Sequence, residues 1–202
     1  SDVCSSDLNV TVERVESLIV WRDNNFNPSN PNGYSNFNEM LDFNLKIKKY
    51  AAFNFKTKIY YFYDSNKDGI DELLIGEIAD GNWKGVIYDI YTMVDRTPKH
   101  VISGGNRNRY YVCDYSFVCN EYSSGANESG VRVSILVENS TELFPQVGFK
   151  YDAYTNKKNP WFLSYDFFKD EWQNVVETAF KDRKAVFDRY KRFDFIPLSI
   201  VK

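Results

Sequence analysis

Histidine is nearly absent from this chain: His100 is the only one in 202 residues. One histidine with Cys113 and Cys119 spaced six apart offers no zinc-ligand pattern. A serine hydrolase lacks its usual setting as well. Ser123 and Ser124 are the candidate nucleophiles beside Gly125, but no Gly-x-Ser-x-Gly elbow surrounds them, and His100 lies near the end of a predicted strand. An excess of either charge is also missing, because 25 Lys and Arg stand against 28 Asp and Glu. Without a basic run or tail, nucleic acid is not an expected partner. No stretch approaches 18 consecutive apolar residues, so no membrane-spanning segment is expected here.

Cysteine is sparse too, with three residues. Cys4 falls in SDVCSSDL, residues 1–8, which resembles one translated frame of a sequencing-library adapter. The natural chain is then expected to begin near Asn9, with any signal peptide or lipid-anchor cysteine upstream. Cys113 and Cys119 lie in YYVCDYSFVCNEY. On one straight strand they would stand about 20 Å apart. A hairpin with Asp114 to Val118 as its loop opposes them directly and permits a disulfide in an oxidising compartment, whereas a shorter loop around Tyr115 and Ser116 offsets them. Both a disulfide and two free, partly buried thiols remain open at this point.

What is plentiful is aromatic, at 17%. Phe and Tyr rise together with Asn, Lys and Ile, residues that share AT-rich codons, so base composition accounts for much of the excess. A carbohydrate-binding platform would need exposed rings in one patch, with Trp83, Trp161 and Tyr165 as candidates.

The organisation reads as one α+β domain over 9–202. Residues 9–50 form a helical and irregular lead-in. Within it, Asn36 or Asn38 caps a helix to about Tyr50, whose Met40, Phe43, Ile47 and Tyr50 make an apolar stripe expected to pack on a sheet. From Thr57 the period becomes that of strands, giving an antiparallel β-meander of about six to eight strands over 57–155. Both faces of its first hairpin are apolar, so that hairpin is expected to be central and covered on both sides. A long C-terminal helix is predicted over 170–190. Asp170 and Gln173 form its capping box, and Trp172, Val175, Val176, Ala179, Phe180, Val186, Phe187 and Tyr190 form its core stripe. The end, RFDFIPLSIVK, reads as a docked tail or edge strand.

The densest chemistry sits in DSNKDGIDELLIG. Asp64, Asn66 and Asp68 occupy positions one, three and five, Gly69 the sixth, Ile70 the seventh and Glu72 the ninth. A tight calcium loop takes side-chain oxygens from one, three and five, a main-chain carbonyl from seven, and an acidic group at nine directly or through water. Gly69 supplies the positive φ such a wrap requires. The three carboxylates at positions one, five and nine repel one another unless a cation neutralises them, Asp71 being expected to point away to the surface. The twelfth position is Ile75, and the flanks read as strands, so the loop is not an EF-hand.

The loop resembles the calcium turns of FG-GAP repeats, although a propeller is not expected from a single copy. More broadly, YYFYDSNKDGIDELLIGEI, VIYDIYTMVD, SSGANESG and NPWFLSYD resemble blocks of a family of exported proteins and lipoproteins of Gram-positive bacteria. That resemblance covers the chain from about Thr57 onward. It implies export and surface attachment and carries no activity with it. The expected function is therefore an extracellular or cell-surface, calcium-stabilised, non-catalytic binding or accessory domain with an unknown extracellular ligand, SSGANESG being a possible ligand loop. A secreted hydrolase of cell-wall or host polymers and a carbohydrate-binding module are the alternatives.

Overall fold

A computed structural model describes residues 33–36, 39, 59–76, 80–193 and 195–197. The strands are β1 (Ile59–Tyr63), β2 (Glu72–Gly76), β3 (Ile87–Val94), β4 (Thr97–Ser103), β5 (Asn108–Val112), β6 (Val118–Gly125), β7 (Glu128–Leu136), β8 (Leu143–Asp152), β9 (Trp161–Asp166), β10 (Glu171–Asn174) and β11 (Ile196–Pro197). Helix α1 (Glu177–Ala185) lies between the last two. The eleven strands form a single sheet in the order β10-β9-β8-β7-β6-β5-β3-β2-β1-β11, and β4 shares an edge of β3 with β5, which pairs only at the start of β3 through Ile87 and Tyr110.

The meander expected over 57–155 is present, and every pairing is antiparallel. Eight strands fall within 57–155, inside the expected count, but the sheet as a whole has more. Pairing continues past residue 155 into β9 and β10, and the C-terminal segment adds β11 beside β1. The expectation of a docked edge strand at that end is met.

Alternation along β2 and β3 sends apolar side chains to both faces. Leu73, Ile75, Tyr88 and Tyr91 join a larger cluster that extends under the helix to Val131, Phe149 and Phe180. Leu74, Ile87 and Ile90 join a second cluster on the opposite face, closed by Phe193 and Phe195. β2 is thus covered on both sides, as its two apolar faces require, but the expectation of a central hairpin is not met: β2 and β1 lie near one end of the sheet, with only β11 beyond them, because β4 to β10 all add on the other side of β3. Gly76 permits the closure, because a Cβ there would lie 2.5 Å from both Phe195 Cζ and Val86 O.

The C-terminal helix is shorter than its pattern. Residues 171–174 pair with β9 instead of continuing a helix, and Asp170 takes φ 57° at the end of the preceding turn. The edge of β9 offers unpaired backbone groups, and satisfying them outweighs a helical side-chain pattern. Asn174 reinforces the pairing by donating from Nδ2 to the carbonyls of Asn159 and Trp161. Asp170 consequently caps no helix and accepts instead from Trp172 Nε1 at 2.6 Å. The core stripe also narrows: Phe180, Val175, Phe187 and Tyr190 pack inward, while Val176 and Val186 are exposed.

At the other end, Asn36 Oδ1 accepts the Glu39 N–H at 2.9 Å and Glu39 Oε2 accepts the Ser35 N–H, an N-cap arrangement. The helix expected to follow, and the rest of the 9–50 lead-in, lie outside the described residues. So does the 1–8 segment.

Candidate functional site

The β1–β2 connection is the turn the motif predicted, opening after the Tyr63↔Glu72 pair. Its wrap is built from side chains accepting main-chain hydrogen bonds. Asn66 Oδ1 accepts the Asp68 N–H at 3.1 Å, Asp68 Oδ1 accepts the Ile70 N–H at 2.8 Å, and Asp64 Oδ2 accepts the Gly69 N–H at 3.1 Å. Asn66 Nδ2 also donates to Asp68 Oδ2 at 3.0 Å. Gly69 stands at φ 87° with open space about its Cα, so backbone conformation selects glycine here. Asp64 Oδ1 is the unsatisfied member: it is shielded from solvent and has no hydrogen-bond partner among the described residues.

Glu72 lies beneath this turn at 1% exposure. Its Oε2 accepts from both the N–H and the hydroxyl of Ser65 at 2.6 Å, and its Oε1 accepts from Thr92 Oγ1 at 3.2 Å. Burial pushes its pKa up to about 7, against the lowering by the Ser65 hydrogen bonds and with a further push from the Asp68 charge. The structure therefore brings Asp64, Asn66, Asp68 and the Ile70 backbone into one turn and sets Glu72 behind it. Among the described residues no three His, Cys, Asp or Glu side chains converge into a ready-made metal cage. Here the carboxylates point at backbone N–H groups and hydroxyls instead of at one another.

The two cysteines, whose pairing the sequence left open, are joined. Cys113 and Cys119 form a disulfide with their Cα atoms 6.2 Å apart. The hairpin uses the shorter loop: Cys119 stands opposite Tyr111, and the Cys113 N–H meets the Phe117 carbonyl. The cysteines are thus diagonal neighbours on one face, a separation a disulfide spans. Tyr115 and Ser116 both take positive φ in that loop, and Ser116 Oγ shares a 3.1 Å hydrogen bond with Tyr63 OH at the base of the acidic turn.

Spacing gave no hint of a third cluster, formed by Asp89, His100 and Ser103. Asp89 is buried, and its Oδ1 is contacted by His100 Nε2 at 2.9 Å and by Ser103 Oγ at 2.6 Å. Ser103 Oγ lies 3.0 Å from the same His100 Nε2. A hydrolytic relay needs the carboxylate on one imidazole nitrogen and the hydroxyl on the other. With both on Nε2, the group reads as a buried carboxylate satisfied by two donors across the β3–β4 pair.

Of the ligand-loop residues, Ser123 lines an open cleft on the helix side of the sheet. Ser124 donates to Glu128 Oε2, and Gly125 sits at the hairpin tip with φ 147°. The three candidate aromatics make no common platform. Trp83 and Trp161 are half-buried against the core, while Tyr165 is exposed and accepts from Arg183. Compared with known families, curated proteins and solved structures, the chain matches none.

Proposed function

We propose that the chain is an extracellular, non-catalytic binding or accessory domain whose β1–β2 turn is stabilised by one calcium ion. The observation that carries this reading is Asp64 Oδ1, a carboxylate oxygen shielded from water with no partner among the described residues. Leaving such an atom unpaired costs free energy that a cation removes. The residues that would hold the ion are Asp64, Asn66 and Asp68 by their side chains, Ile70 by its carbonyl, and Glu72 directly or through water. Calcium suits an all-oxygen donor set of this kind, and its charge would offset the crowding of three carboxylates. Its role is structural. The turn connects β1 and β2, and Glu72 reaches Thr92 on β3, so ordering the turn ties together three neighbouring strands toward one end of the sheet.

The disulfide supports a site of action outside the cytosol, because such bonds persist in oxidising compartments. Extracellular modules bind calcium with dissociation constants of roughly 0.1 to 1 mM, so millimolar calcium adds about 0.4 to 1.4 kcal/mol. For a domain of this size that is a rise in melting temperature of about 1 to 5 °C. The test is a thermal melt in calcium and in chelator, on the wild type and on Asp68→Ala. A calcium-dependent rise in the wild type that disappears in the variant supports the proposal, and an unchanged melting temperature in both rejects it.

A further inference from the structure

Helix α1 crosses the sheet over β9 and leaves open the face of β6–β8 beside it. The result is a cleft of about 390 Å³, within the usual size of small-ligand sites. We propose that this cleft binds a carboxylated saccharide, with a sugar face on Trp161 and the carboxylate toward Arg107 and Lys184. The proposal deepens the reading of the chain as a binding domain. It shares no residue with the calcium turn.

The first support is charge. The chain as a whole carries −3, yet the cleft is lined by Arg107, Arg109 and Lys184 against the single carboxylate of Glu121. Arg109 is committed to Glu121 at 3.1 Å, and Lys184 is shared with Asp188. Arg107 is exposed and makes no ion pair among the described residues. Lys181 lies nearby, its Nζ 5.8 Å from the centre of the Trp161 ring, but its charge is paired with Glu177. An anion entering here meets an uncommitted guanidinium first.

The second support is shape. Trp161 is half-buried and held between Tyr151, at 5.0 Å, and Phe180, at 4.8 Å between ring centres. Phe149 packs edge-on against Phe180 and closes the floor. These contacts fix an aromatic surface before any ligand arrives, which lowers the ordering cost of binding. Polar groups converge on the opposite side. Ser123 and Ser129 line the cleft, and Asn106 Oδ1 is an acceptor with no partner that a sugar hydroxyl can satisfy after rotation of the amide.

The nature of the anion follows from the helix. Phosphate sites favour helix N-termini or runs of backbone N–H groups. Here the middle and last turn of α1 face the cleft through Phe180 and Lys184, so the helix end nearest the ligand carries partial negative charge. That field opposes a doubly charged phosphate about twice as strongly as a singly charged carboxylate, whose single charge one arginine can match.

The test is calorimetric titration of the full chain with a glucuronate-containing disaccharide, with the corresponding neutral disaccharide, and with inorganic phosphate. Each titration is run in calcium and in chelator. The expected result is binding of the acidic sugar in both media, weakened at least about tenfold by Arg107→Glu and by loss of the carboxylate. Trp161→Phe keeps the packing against Phe180 and is expected to weaken both sugars alike. Equal binding of neutral and acidic sugar overturns the proposal, as does phosphate binding that competes with the sugar, unchanged affinity in Arg107→Glu, or no heat with the acidic sugar on folded protein. Failure of the calcium reading leaves these titrations intact, so the two outcomes are separable.

Discussion

Replacing Glu72 with glutamine, in chelator, isolates the cost of burying a charge under the acidic turn. Glu72 is 1% exposed and keeps its proton up to a pH of about 7, whereas an unstructured glutamate releases it near 4.5. Below the unfolded value the carboxyl is neutral in both states and opposes folding in neither. As pH rises through the window from about 4.5 to about 7, the unfolded chain ionises first and stability falls by about 1.4 kcal/mol per unit. The accumulated loss is on the order of 3 kcal/mol, and above pH 7 it is complete. The Glu72→Gln protein carries no such dependence. Its new side-chain carbonyl can accept both Ser65 donors, and its amide can donate to the Thr92 hydroxyl, so the hydrogen bonds of this site survive the change. Urea unfolding of both proteins across pH 4.5 to 7.5 reads the difference directly, because the other titrating groups are common to both. The metal-free variant is expected to match or exceed the wild type at pH 7.5 and to lose that advantage at pH 4.5. A variant less stable than the wild type at pH 7.5 with an unchanged pH slope would refute the claim that Glu72 is a buried carboxylate held neutral by its surroundings.

Three further outcomes follow from the packing. Cys113→Ser with Cys119→Ser removes a short cross-link and is expected to cost about 2 kcal/mol in urea unfolding; equal stability of oxidised wild type and variant would contradict it. Gly76→Ala places a methyl against Phe195 and the Val86 carbonyl, with an expected loss of about 1 to 3 kcal/mol and earlier hydrogen exchange in β1 and β2. An unperturbed Gly76→Ala protein would show that the C-terminal segment does not dock as described. Asp89→Ala strips the acceptor from Ser103 and His100 and is expected to destabilise by about 1 to 3 kcal/mol, measured by thermal unfolding.

The turn was the most legible part of the sequence, because its Asx-type residues, its glycine and its flanking alternation are all local. Glu72 shows where that legibility stops. Position nine of a calcium loop and first residue of an inward-facing strand are the same residue, and spacing alone gives only the first reading. Carrying the alternation of Leu74 back two residues places Glu72 on a buried face, which the burial of Thr92 beside it confirms. Residues 171–174 illustrate the opposite difficulty. Their apolar spacing fits a helix, but the deciding quantity is the unpaired edge of β9, which no local pattern contains. The Asp89, His100 and Ser103 contact depends on a register shift between β3 and β4. The cleft draws on a loop, five strands and a helix, so its residues are unrelated in spacing and become neighbours only through the sheet order. Two of them were suggested beforehand, Ser123 by the glycine and serine composition of its hairpin and Trp161 as a candidate stacking ring.

Direct measurement of calcium stoichiometry is the most decisive test of the account. Equilibrium dialysis of the folded wild type at pH 7.5 is predicted to give one ion per chain, with half-saturation at roughly 0.1 to 1 mM. Asp64→Asn, which leaves an oxygen and the Gly69 contact in place, is predicted to weaken that binding, and Asp68→Ala to abolish it. Retention of one ion per chain at wild-type affinity in both variants, or no bound calcium in the wild type at 10 mM, about ten times the weakest expected constant, would contradict the assignment of this turn.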